Sequence, residues 1–74
     1  MNTSEHQLER LNDAHQRVLQ ADRAIDYDNG DTVRAYIRAT NVLVDACVDC
    51  GMPTDYPDHE AWAAEHVARW LVEA

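Results

Sequence analysis

Apolar residues recur along this chain at helical rather than strand spacing, in three separate runs. In the first, Leu8, Leu11, Val18 and Ile25 stand three, seven and seven residues apart, which gathers them on one stripe of a helix over about residues 4–25. His15 and Asp22 fall on the same stripe and are expected to be satisfied interior groups or its edge. The second run predicts a helix over about residues 31–50, carrying Val33, Tyr36, Ile37, Leu43, Val44, Cys47 and Val48. Its second half is apolar except for Asp45 and Asp49, so it is expected to be the central helix, covered on more than one side. The third run predicts a short amphipathic helix over about 58–73, with Ala63, Val67, Trp70, Leu71 and Ala74 on one side and Glu65 paired with Arg69 four residues on. Trp62, His66 and Trp70 form a ridge at four-residue spacing. The pattern therefore predicts an all-α fold, one small three-helix domain over residues 1–74.

Boundary residues support the same division. Ser4 with Gln7 three residues on is the capping-box arrangement. In Asp26-Tyr27-Asp28-Asn29-Gly30-Asp31, Asn29-Gly30 is expected to supply left-handed backbone and Asp31 the cap of the second helix. The loop has a superficial likeness to a calcium loop starting at Asp26, but Asp31 stands where the invariant glycine belongs and Ile37 where the closing Glu belongs. Gly51 is read as the stop of the second helix, and Pro53 and Pro57 forbid helix until Asp58 caps the third.

Composition then narrows the class. A chain of 74 residues supports one domain, at a size where an apolar core supplies only about 3–5 kcal/mol of net stability, so a metal, a disulfide or burial against a partner is expected to add to it. No apolar run approaches the ~20 residues of a membrane span, and Met1 to His6 lacks a signal-peptide pattern, which predicts a cytoplasmic protein with reduced thiols. Six arginines and no lysines suggest a GC-rich genome, bacterial or phage. The net charge is −8, with residues 1–38 contributing −2 and residues 39–74 contributing −6. That balance opposes direct binding to nucleic acid or anionic membranes, because both depend on Lys and Arg neutralising phosphate.

One constellation can carry chemistry. Cys47-Val48-Asp49-Cys50-Gly51 holds both cysteines, and His59 and His66 follow. Two thiolates and two imidazoles are a zinc ligand set, so Cys47, Cys50, His66 and His59 are the candidate metal residues, with His15 as a substitute for His59. The spacing is poor, since the histidines have six residues between them and stand about 10.5 Å apart along a helix. A redox or nucleophilic role fits less well: at the C-terminal end of a helix, beside Asp45 and Asp49, the thiol pKa is expected to rise. No Glu-x-x-His pair, phosphate-cradling glycine loop or Asp-Ser-Leu attachment motif is present, so no catalytic residues are predicted and the chain is read as a non-enzyme.

The function expected from sequence is a small acidic protein–protein interaction module, a regulator, adaptor or inhibitor with a protein partner that is basic in character and with a tendency to homodimerise. Its candidate partner-binding residues are Trp62, His66, Trp70, Asp45 and Asp49. No cofactor is expected in that reading. The alternative is a zinc-stabilised helical module built on Cys47 and Cys50, and a third is an acidic mimic of nucleic acid.

Overall fold

Ser4 and Gln7 close the expected capping box: Ser4 Oγ accepts from the Gln7 amide at 3.2 Å, and Gln7 Oε1 accepts from the Ser4 amide at 2.9 Å. They open the first of three helices in a computed structural model that describes residues 4–73: α1 (Glu5–Arg23), α2 (Gly30–Asp49) and α3 (His59–Glu73). Ala74, the last residue of the expected third stripe, lies outside the described residues. The fold is the predicted all-α three-helix domain.

Two local readings need correction. α1 ends at Arg23, two residues early: the Ala24 amide makes the last i→i−4 bond, to the Gln20 carbonyl, and the Ile25 amide turns instead to the Asp22 carbonyl three residues back. The cap of α2 is Asn29, whose Oδ1 accepts from the Asp31 amide at 3.1 Å. Gly30 is the first helical residue and has no left-handed backbone, so Asp31 sits inside the first turn, where its charge favours the helix N-terminus. The loop before it is held by side chains: Asp26 Oδ1 accepts from the Asp28 amide, and Thr32 Oγ1 accepts from the Asp26 amide while facing the Asp26 and Asn29 carbonyls. Asp26 is thereby occupied as a turn former.

The other ends form as read. Gly51 adopts φ 103° and closes α2 in a Schellman arrangement, with the Met52 amide donating to the Cys47 carbonyl and the Gly51 amide to the Val48 carbonyl, both at 3.0 Å. Met52, carried back over the helix end, is buried. Asp58 Oδ1 accepts from the Ala61 amide at 3.1 Å and caps α3.

The three helices enclose Leu11, Ala14 and Val18 of α1, Leu43, Ala46 and Cys47 of α2, Cys50 and Met52 of the turn after it, and Ala63 and Val67 of α3. Tyr36, Ala39 and Trp62 pack against this cluster from the side. Of the seam residues on α1, His15 is half-buried and Asp22 exposed. α2 is not the covered central helix that its apolar second half suggested. α1 packs most extensively with α2 and meets α3 more broadly than α2 does, leaving Ile37 at 52% and Val48 at 40% exposure on the open side of α2. A short α3 lying toward α1 cannot shield both flanks of a helix about 30 Å long.

Candidate interaction surface

Of the expected ridge on α3, Trp62 and His66 stack on each other, and Trp70 is not among the residues that line the cleft beside them. Trp62 and His66, one helical turn apart, stack with ring centroids 4.6 Å apart and planes within 11°. Trp62 also packs against the core. Both, with Trp70, are half-buried. Beside the stack opens a cleft of about 260 Å³ lined by Tyr56, Trp62, Glu65, His66 and Arg69. Arg69 donates to Glu65 across one turn at 3.2 Å, so the rim is a paired set of charges and the wall is aromatic. Tyr56, 40% exposed, comes from the Pro53–Pro57 connection, where its amide donates to the Pro53 carbonyl. Helical spacing on α3 has no access to a loop residue, so Tyr56 is the member of this cleft that the sequence pattern did not single out, while Glu65 and Arg69 stand in it as the expected ion pair rather than as expected binding residues.

Asp45 and Asp49 lie on a different surface. Both are exposed on α2, and Asp49 is tied to α1: Gln7 Nε2 donates to its carbonyl at 3.2 Å and to its carboxylate at 3.3 Å, and Arg10 stands 3.7 Å from that carboxylate. The five candidate partner-binding residues therefore divide into an aromatic group on α3 and an acidic pair on α2. A second groove, of about 220 Å³, runs between α1 and α2 over Ala14, Ala39 and Val42, with Arg17 and Arg38 at its sides.

The four candidate zinc residues do not assemble. Both cysteines are buried thiols, and each points at a backbone carbonyl: Cys47 Sγ at His59 O, 3.7 Å away, and Cys50 Sγ at Gln7 O, 3.5 Å away. His59 offers Cys47 its carbonyl rather than its ring, and its buried Nε2 has no hydrogen-bond partner among the described residues. His66 is engaged by Trp62. Among the described residues no three of His, Cys, Asp and Glu stand close enough together to hold one ion. The thiols behave as small packed groups.

Their acidity follows the same cause. Burial, then the neighbouring Cys50, pushes the Cys47 thiol up to about 11; burial, then Asp49, raises Cys50 against an opposing effect of Arg10. The rise expected from sequence is present, but desolvation rather than the aspartates is its main source. Tyr36 also has a raised pKa, chiefly from the Glu60 carboxylate to which its hydroxyl donates at 3.3 Å, with burial adding to it.

No described helix is long and apolar enough to cross a membrane. Comparison with protein families, with curated proteins and with solved structures finds no match to this chain.

Proposed function

We propose that this domain works by binding another protein, as a small acidic regulator, adaptor or inhibitor, and that the Tyr56–Trp62–His66 cleft is where the partner anchors. The observation that carries this reading is the open cleft itself: Tyr56, 40% exposed, stands beside the stacked and only half-buried Trp62 and His66. Scattered apolar residues on a surface are ordinary, but an aromatic wall with a paired-charge rim is the composition of an interface centre. Tyr, Trp and Arg are the residue types that most often dominate binding energy. The net charge of −8 favours a basic partner, whose approach it accelerates.

The test uses residues outside the core. Tyr56→Ala and Arg69→Ala leave the buried cluster intact, and a partner recovered from the native host should lose affinity for both. Truncation of an anchor costs about 2 kcal/mol or more, roughly a thirtyfold loss, mainly as faster dissociation. A partner bound equally well by both variants would show that the cleft is not its site.

A further inference from the structure

The outward side of α2 carries two patterns whose centres stand one residue apart. With 3.6 residues per turn, Val33, Ile37, Val44 and Val48 fall within about 60° of one another around the helix, and Arg34, Arg38, Asp45 and Asp49 fill the adjoining sector of about the same width. The apolar four are symmetric in sequence about a point between Thr40 and Asn41. The charged four are symmetric about a point between Asn41 and Val42, one residue away, with arginines before it and aspartates after it. Reversing the helix about that centre places every arginine where an aspartate was.

Within a single chain this order is unfavourable. Asp49 stands in the last turn of α2, where the helix dipole disfavours an anion. Arg38 and Asp45 have no ion-pair partner among the described residues. Two turns apart, about 10.5 Å along the axis, they cannot pair with each other. The outer pair is partly engaged at home, Arg34 with Asp31 and Asp49 with Arg10. The apolar stripe beside these charges is the open flank, where Ile37 and Val48 are exposed and Val33 and Val44 half-buried.

We propose that α2 is a dimerisation helix, and that its occupant is a second copy of this chain packed antiparallel across a two-fold axis near Asn41. In that arrangement Val33 lies opposite the partner's Val48 and Ile37 opposite the partner's Val44. A two-fold axis sets the same rim against the same rim. Arg38 then faces the partner's Asp45, and Arg34 the partner's Asp49. Parallel packing, with the two-fold axis along the helices, would instead carry the two charged rims to opposite sides of the interface, where neither meets the other. A standard interface removes about 800 Å² from each partner, about 15% of the 5253 Å² this chain exposes. The surface is on another face from the Tyr56–Trp62 cleft, so each proposal stands or falls separately.

Sedimentation equilibrium of the purified chain and of two exposed charge reversals, Arg38→Asp and Asp45→Arg, tests it. The unaltered protein should sediment at twice the 8.4 kDa chain mass at micromolar concentration. Each reversal alone sets like charges against each other twice per dimer and should raise the dissociation constant at least about tenfold. An equimolar mixture of the two should recover the dimer. The carboxylate introduced by Arg38→Asp in one chain then meets the guanidinium introduced by Asp45→Arg in the other, and the native Arg38 and Asp45 meet at the second contact. Far-UV circular dichroism checks that all three chains keep their helices. A monomeric unaltered chain, reversed chains that stay dimeric, or a mixture that stays monomeric would each overturn the proposal.

Discussion

Leu11, Leu43, Val18 and Cys47 are the largest side chains sealed from water, and no phenylalanine is present to enlarge the core. Stability at this scale is therefore concentrated in a few side chains. Leu43→Ala should cost about 2–5 kcal/mol, comparable with the whole stability expected of such a domain, so urea titration should find the variant largely unfolded before denaturant is added. Cys47→Ala, a smaller truncation, should cost on the order of 1 kcal/mol. The thiols also set a pH dependence with a definite sign. Cys47 ionises near 8.5 when unfolded but only at about 11 in the fold, so its contribution is complete below pH ~8.5 and is lost as the pH rises through 11. Cys50 and Tyr36 are shifted in the same direction and act in the same sense. Denaturant midpoints should be level from about pH 7 to 8.5 and fall beyond it, less steeply in Cys47→Ala; equal slopes would place the ionising group elsewhere. Because both thiols face carbonyls rather than ligands, EDTA should leave the thermal melt unchanged.

At the scale of elements, what could be read from sequence depended on how far a side chain reaches along the chain. Ser4 with Gln7, Gly51 and Asp58 were legible because each closes hydrogen bonds within four residues of itself. The start of α2 was read one step wrong for an instructive reason: Asn-Gly commonly signals left-handed backbone, but here Asn29 caps and Gly30 enters the helix. The burial of α2 was overestimated because periodicity reports which residues are apolar and not which neighbour arrives to cover them. The four-residue spacing of Trp62 and His66 placed them on one ridge, where they stack, whereas Tyr56 lines the cleft beside them from a loop that no helical period describes. Nor could spacing show that the thiols point at the Gln7 and His59 carbonyls, since that depends on the Schellman turn and on where α1 lies. That turn is itself testable. Gly51→Ala meets no steric neighbour but must hold φ 103°, so it should lower stability by about 1–2 kcal/mol through backbone strain alone. A variant as stable as the parent would show that the helix end relaxes freely.

For the whole molecule, the uneven charge and the open surface act at different stages of binding. Residues 39–74 carry −6, with Asp55, Asp58 and Glu60 near the entrance to α3, so association with a basic partner should slow steeply as salt rises and the screening length shortens below about 8–10 Å. Dissociation should change far less, because it is governed by the desolvated aromatic contacts. Asp58→Asn isolates the charge from the cap, since asparagine still accepts the Ala61 amide. Its effect should appear in the association rate with the melting temperature nearly unchanged. An association rate indifferent to salt would assign the acidity to solubility alone.

Whether another protein occupies the cleft beside Trp62 is addressed most directly by site-specific photocrosslinking in the native host, with the reactive group placed at Tyr56 and, as a control, at Gln20 on the exposed side of α1. The Tyr56 probe should yield one discrete adduct whose mass exceeds the 8.4 kDa chain by that of a partner other than the chain itself, and the Gln20 probe should not. No adduct from Tyr56, or the same diffuse products from both positions, would contradict the cleft as the docking site.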